Sequence, residues 1–306
     1  QGKSQELIRR ESRKKSFFHD LIYSRGISKR DGAKKLVQGV VNIRDFGAVG
    51  DGKTDDTKAI QAALNSKSKS IVIPSGNYVV SKTLVSNQDD RSIFGSGSLT
   101  ANTKLELLIK ITGFRNKISL NVKGNRQISG AILVAAGAAE ITDCIISNLY
   151  SAPGKSIAIK ANLTGQKEGV LISNNIIKKV TAIGDGVKGN GVGMSRGIVV
   201  AADRNMSKEI IISNNQIESI LGEEGDAIVV RNNGYGSIYK APISVYNNKI
   251  YNFTRRGIKM KASGSKIANN YFENSWRDDL PSLNAVIDVV KGDNHYITGN
   301  ILVNCR

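Results

Sequence analysis

The chain has 306 residues, 40% hydrophobic and 23% charged, with 31 Gly and 4 Pro, which excludes a disordered polymer or a collagen-like repeat and leaves enough chain for one large core. Lys and Arg number 44 against 26 Asp and Glu, a formal charge of +18, so the partners to look for are acidic. Only Cys144 and Cys305 occur, too few for a disulfide scaffold, and no apolar run approaches the roughly 20 residues of a membrane span.

Residues 1–40 are expected to form a basic N-terminal arm or helix. Lys and Arg crowd residues 9–15, and Leu7, Ile8, Phe17, Phe18, Leu21 and Ile22 recur at a loose helical spacing, the pattern of a solvated basic face leading into a domain. The Gln1-Gly2-Lys3 start reads as that of a processed or recombinant chain, from which a removed targeting segment and a secreted or periplasmic location are expected. Residues 41–306 are expected to be one domain, with 41–84 as its cap and first coil. In that stretch Asp45-Phe-Gly-Ala-Val-Gly-Asp-Gly52 is a Gly-rich turn, and Thr54-Asp-Asp-Thr57 opens an amphipathic helix through Ala59, Ile60, Ala63 and Leu64. Thr54 is the expected N-cap, with Asp55 and Asp56 in the first turn complementing the helix dipole. Strands at Ile71-Val-Ile73 and Tyr78-Val-Val80 flank the turn Pro74-Ser-Gly76, and the helix is expected to plug the end of the stack.

From residue 130 the chain repeats. One element is Ile172-Ser-Asn-Asn-Ile176, Ile212-Ser-Asn-Asn-Gln216, Val245-Tyr-Asn-Asn-Lys249, Ile267-Ala-Asn-Asn-Tyr271 and Ile297-Thr-Gly-Asn-Ile301, with Ile141-Thr-Asp-Cys-Ile145 as a degenerate earlier copy. Aligning Cys144, Asn175, Asn215, Asn248, Asn270 and Asn300 gives steps of 31, 40, 33, 22 and 30 residues. A second element precedes each copy: Ala131-Ile-Leu-Val134, Ser156-Ile-Ala-Ile-Lys160, Gly197-Ile-Val-Val200, Ala227-Ile-Val-Val-Arg231, Gly257-Ile-Lys-Met-Lys261 and Val286-Ile-Asp-Val289. These are short alternating β-branched strands. Two or three such strands per coil of about 22 residues is the arithmetic of an all-β, single-stranded right-handed parallel β-helix, each strand pairing with its equivalent one coil away. Longer steps are loops, and loops on a rigid scaffold usually carry function. The Asn column is architecture, a stack of side chains bonding along the turn. The same register separates Cys144 from Cys305 by roughly 24 Å at about 4.8 Å per coil, too far for a disulfide.

Val41-Asn-Ile-Arg-Asp-Phe-Gly-Ala-Val-Gly-Asp-Gly-Lys-Thr-Asp-Asp-Thr-Lys-Ala-Ile-Gln-Ala-Ala-Leu64, followed by Ile73-Pro-Ser-Gly-Asn-Tyr78, resembles the opening segment of the pectate-lyase-like β-helix superfamily. With the coil repeat, the resemblance covers residues 40–306. It implies the β-helix with an N-terminal capping helix, and an activity drawn from polysaccharide lyases, polygalacturonase-type hydrolases, mannuronan epimerases or phage tailspikes; the opening segment is shared by all of these.

If Ile157/Ile159, Ile198/Val200, Ile228/Val230, Ile258/Met260 and Ile287/Val289 point inward, one outward column reads Ala158, Val199, Val229, Lys259, Asp288 and the next reads Lys160, Ala201, Arg231, Lys261, Val290. Lys259 then lies one coil from Asp288, and Arg231 one coil from Lys261, about 5 Å in each case. The segments 181–196, 221–226, 232–242 and 275–284 are expected to wall a groove beside this face, bringing Glu223, Glu224, Asp226, Tyr235, Tyr239 and Trp276 to it; aromatic rings suit sugar faces. The Asp278-Asp279 pair reads as a solvated turn, with a metal or catalytic carboxylate as its rival.

For an acidic polysaccharide, β-elimination needs a cation to neutralise the uronate carboxylate, a base for the acidified proton and an acid for the leaving oxygen. Lys259 or Lys261 is the candidate base, since burial and like charge can lower a Lys pKa toward neutrality, and Arg231 the candidate carboxylate clamp. Asp288 and Asp226 complete the catalytic candidates, and Arg256, Lys160, Tyr235, Tyr239, Trp276, Lys291 and Glu224 are the substrate-binding ones. The stretch Gly257-Ile-Lys-Met-Lys-Ala-Ser263 and Lys266-Ile-Ala-Asn-Asn-Tyr-Phe272 is similar to the Lys-bearing coil of alginate- and chondroitin-type β-helix lyases. In those the next coil bears an Arg; here it reads Val290-Lys-Gly-Asp293, a departure at the acid role.

The expected function is lyase cleavage of a uronate-containing extracellular or biofilm polysaccharide. A glycoside hydrolase is the first rival and would use Glu223, Glu224, Asp226, Asp288 or Asp185 as its carboxylate pair. The polygalacturonase Asn-Thr-Asp and Gly-His-Gly motifs and the epimerase Asp-Pro-His motif are absent. A non-catalytic, tailspike-like polysaccharide-binding module is the second rival. Nucleic acid fits the charge but no recognised binding motif. His19 and His295 read as surface residues, so a zinc site is not expected. No cofactor is identified; the candidate is Ca2+, bridging a uronate to Glu223, Glu224 or Asp226. Whether the chain is a monomer or a trimer is left open.

Overall fold

The structure, a computed structural model, describes residues 39–185, 193–233, 238–274 and 285–305. These residues wind into a right-handed parallel β-helix with three ladders of parallel strands running its length. One ladder comprises β1 (Leu84–Ser86), β2 (Ile109–Ile111), β3 (Gly130–Val134), β4 (Lys155–Asn162), β5 (Met194–Ala202), β6 (Glu224–Asn232), β7 (Arg256–Lys261) and β8 (Ala285–Lys291), in sequential order. The other two stand on either side of the Asn corner: Ala139–Thr142 to Val170–Ser173 to Ile210–Ser213 before it, Ile145–Ser151 to Ile176–Ala182 to Gln216–Leu221 after it.

The corner explains the doubled asparagine. Asp143, Asn174, Asn214, Asn247 and Asn269 have φ between 56° and 59°, the left-handed region that Asn and Asp tolerate better than most residues. The second Asn of each pair turns inward and bonds to its neighbours in the stack. Nδ2 of Asn175 donates to Oδ1 of Asn215 at 2.9 Å, Asn215 to Asn248 at 2.9 Å, Asn248 to Asn270 at 2.9 Å and Asn270 to Asn300 at 3.0 Å. Backbone N–H groups use the same oxygens, and each remaining N–H finds a carbonyl, as Asn215 does at Ile172. Cys144 takes the first place in the column, its N–H donating to Asn175, and both cysteines are free thiols.

Inside, Ile132, Ile159, Ile198, Ile228 and Ile258 stack with at most 1% exposure. Burial of such a side chain contributes roughly 1.5–3 kcal/mol. Phe253 and Phe272 meet edge to face, 6.4 Å between ring centres.

Three local expectations are corrected. Helix α1 spans Thr57–Asn65 and begins after Asp56, not Thr54, which lies in the strand Asp51–Asp55. The Asp56 carboxylate is drawn away from the helix by the N–H groups of Val49 and Gly50, at 2.7 and 3.1 Å, and Asp55 accepts from Thr57 instead. Ile60, Ala63 and Leu64 of α1 are buried in the common core. On β4, Ile157 sits in an outward column and Ala158 is buried, because Ile159, not Ile157, pairs with Ile198. Lys160 therefore aligns with Val199, Val229, Lys259 and Asp288, two residues away from the column expected for it. Finally, a register shift after Met260 sets Lys261 opposite Lys291, not Val290.

Candidate functional site

The site lies on the outer face of β4 to β8. On three of these strands a charged residue stands two positions before the buried Ile: Arg196 on β5, Asp226 on β6 and Arg256 on β7 stand in one column. The residue between is small, and at Gly257 the reason is space, since an added Cβ would come within 2.5 Å of the Phe272 ring.

Asp226 is completely buried. Arg196 Nη1 lies 2.8 Å from its Oδ2 and Arg256 Nη1 3.4 Å from its Oδ1. Arg256 also donates from Nε to Asp288 Oδ2 at 2.6 Å, and Arg196 from Nη2 to Glu224 Oε2 at 2.9 Å. Arg255 pairs with the other Glu224 oxygen. The column is thus a network of three guanidinia and three carboxylates that neutralise one another. Burial acts to raise the Glu224 pKa, but the hydrogen bond and charge of Arg196, helped by Arg255 and Lys259, outweigh it and hold the carboxyl below its ordinary value.

Beside this network runs a basic strip that is not neutralised. Lys259 is opposed to Asp288, and Arg231 to Lys261, as the spacing predicted; Lys160 and Lys291 extend the strip. Among the described residues none of these five cations has an ion-pair partner. Lys259 is half-buried, and its pKa is pushed down to about 8, chiefly by burial; Asp226 and Glu224 oppose the shift, while Arg256 and Arg196 add to it. Lys160 is also lowered, by burial and then by the charges of Arg231 and Lys155. Burial and the charge of Arg196 lower Arg231, which nonetheless stays protonated at any working pH.

The substrate-facing role expected of Tyr239 is overturned. It is 1% exposed and belongs to the apolar core, because its segment turns inward ahead of the strand Lys240–Tyr246. Burial drives its phenol pKa upward. Arg256 and Asp226 were expected at the groove and are instead locked in the buried network. Tyr235, Trp276 and the Asp278-Asp279 pair lie outside the described residues. His295 is half-buried, not a surface residue, with Nδ1 2.7 Å from Ser265 Oγ.

Calcium does not fit two of the three carboxylates proposed for it. Glu224 and Asp226 are each held by two guanidinia, and among the described residues no group of three or more His, Cys, Asp or Glu is placed to share an ion. Among those residues, too, no helix is long and apolar enough to cross a membrane.

Arg196 and Arg255 are site residues outside the catalytic and substrate-binding candidates; the sequence puts Arg196 in the wall of the groove and Arg255 beside the lysines. The signal for Arg196 was the charged-x-Ile alignment of Arg196-Gly-Ile198 with Asp226-Ala-Ile228 and Arg256-Gly-Ile258.

The chain is 57% identical over 44 residues to alginate lyase 7 of Azotobacter vinelandii, a match that covers 13% of this chain and only 5% of that protein. Among solved structures it is similar to endo-xylogalacturonan hydrolase from Aspergillus tubingensis, at 11% identity and TM-score 0.41, covering 86% of this chain and 95% of that one. It is also similar to ORF18 of Geobacillus virus E2, at 14% identity and TM-score 0.31, covering 81% of this chain and 60% of that one. The family described as rhamnogalacturonase A/epimerase, pectate lyase-like, matches residues 40–306, and the chain belongs to that family.

Proposed function

We propose that this chain cleaves an acidic, uronate-containing extracellular polysaccharide by β-elimination on the face formed by β4 to β8. The observation that carries this reading is Lys259: half-buried, without a counter-ion among the described residues, and released from its proton only two to three pH units below an ordinary lysine. A neutral amine on a cationic strip is the base such a reaction needs. Arg231 would take the uronate carboxylate, making the adjacent C5 proton more acidic. Lys259 removes that proton, the C4–O bond breaks as the C4–C5 double bond forms, and Lys261, one rung from Arg231, gives its proton to the leaving oxygen.

Three of the five candidate carboxylates speak against hydrolysis. A glycosidase acid must hold a proton near neutral pH. Glu224 is instead kept ionised by Arg196 and Arg255, and Asp226 and Asp288 are both engaged by arginines.

The test is mass spectrometry of products from a panel of uronate polymers, alginate and polygalacturonate included, with and without calcium. The reading expects oligosaccharides with an unsaturated, ultraviolet-absorbing end, lost in Lys259→Ala. Saturated products would replace it with a hydrolase, and intact polymer retained by the protein would make the strip a binding surface only. Loss of retention in Arg231→Ala, by roughly tenfold at low salt and less at high salt, is expected in either the lyase or the binding case.

A further inference from the structure

Asp226 has no solvent exposure and no direct path to a substrate, yet it joins the coils on both sides of it. Its Oδ2 is 2.8 Å from Arg196 Nη1 without an aligned hydrogen, and its Oδ1 is 3.4 Å from Arg256 Nη1. A buried carboxylate this costly to desolvate is tolerated only because cations surround it. The charges of those same cations act on Lys259 and favour loss of its proton.

We propose that Asp226 is a positioning residue: it ties Arg196 and Arg256 to the rungs on either side of its own and offsets their charge beside Lys259, leaving that amine as the reactive group of the strip. The proposal rests on the reading of Lys259 as the base. The charges acting on Lys259 are those of Asp226 and Glu224 on β6, Arg196 on β5 and Arg256 on its own strand; Asp288 on β8 stands opposite it, Arg231 and Lys261 form the next pair along β6 and β7, with Lys291 beyond them on β8, Arg255 precedes β7, and Lys160 on β4 lies three rungs away in the same column. Arg196 is shared with Glu224 and Arg256 with Asp288, so each arginine keeps one partner if Asp226 is neutralised. What Lys259 loses is the foremost of the negative charges acting on it. The ammonium then gives up its proton more readily, and the site becomes a weaker base that is active at lower pH.

The experiment uses the full chain and needs no substrate. Trace labelling with acetic anhydride, read by peptide mass spectrometry across pH, reports the titration midpoint of Lys259. The midpoint is expected near 8 in the parent chain and about half to one pH unit lower in Asp226→Asn, as loss of one nearby charge implies. Asp226→Glu should recover part of the shift. Should Asp226→Asn not fold, Asp226→Asn combined with Arg196→Gln removes both charges; its midpoint must lie below that of Arg196→Gln alone. An unchanged midpoint alongside a lower melting temperature would reduce Asp226 to a structural ion pair and overturn the proposal. Undiminished polymer cleavage by Lys259→Ala would instead sink the reading of Lys259 as the base, an outcome independent of the labelling.

Discussion

Lys259 and Asp288 stand opposite one another on β7 and β8, yet the Asp288 carboxylate is bonded to Arg256, 2.6 Å away, and Lys259 is left without an ion-pair partner among the described residues. Adjacent rungs of opposite charge have therefore not paired in the simplest way. The arginine, with its fork of donors, bridges two carboxylates from one position, and the lysine remains available.

Asp288→Asn should accordingly act on stability more than on chemistry. Arg256 keeps Asp226, so the loss is one charge-assisted hydrogen bond, worth about 1–2 kcal/mol by urea denaturation. Turnover is expected to stay within a few-fold of the parent. A hundredfold fall in kcat at unchanged stability would show that Asp288 takes part in the reaction.

Lys259 makes stability depend on pH with a defined sign. Its folded pKa, about 8, lies below the ordinary 10.5, so between those values the unfolded chain holds a proton that the folded chain has released. Stability due to this residue rises with pH across that window, and its cost is fully present below about pH 8. Lys259→Met should stabilise the fold at pH 7 by on the order of 1 kcal/mol, partial exposure having weakened the effect, and the gain should vanish toward pH 10.5. Melting curves of both proteins at pH 7 and 10 measure the difference; a constant gap would contradict the assignment.

The two asparagines of each corner should respond differently. Asn215→Ala leaves the N–H of Asn175 and the carbonyl of Ile172 unbonded in the interior and is expected to cost about 3 kcal/mol. Asn214, at φ 56°, should accept Gly with little change, while Ile there costs about 1–2 kcal/mol in the left-handed region. Denaturant midpoints of the three variants give the comparison, and equal effects at the two positions would refute the division of roles.

Tyr239 carries a buried hydroxyl with no hydrogen-bond partner among the described residues. Tyr239→Phe removes an uncompensated polar atom, so it should be neutral or stabilising by up to about 1 kcal/mol, with KM for polymer unaltered. A raised KM would restore the sugar-contacting role that its burial argues against.

The coil repeat made the fold legible before any coordinates. Side chains alternate along a strand, equivalent strands recur coil by coil, and a corner that needs one left-handed residue and one inward amide writes Asn-Asn at every turn. The pairings 145 with 176, 176 with 216, 216 with 249, 249 with 271 and 271 with 301 reproduce the spacing of the asparagines. Local turn chemistry was less legible. Thr54, Asp55 and Asp56 are all plausible caps, and the choice among them fell to the N–H groups of Val49 and Gly50, which lie across the turn.

At the site, the sequence by itself determined which residue types reach one face: Lys259 against Asp288 and Arg231 against Lys261 follow from a period of two and a repeat of one coil. Only the tertiary structure decided what those charges do. The outward position of Ile157 moved Lys160 into another column, and the inward turn before Lys240 sent Tyr239 into the core. Which carboxylate each arginine takes depends on distances of a few ångströms between different coils, and burial depends on everything packed around a residue, so neither is written in the spacing along the chain. That is why the arginines and the lysine, which has no ion-pair partner among the described residues, part company in space.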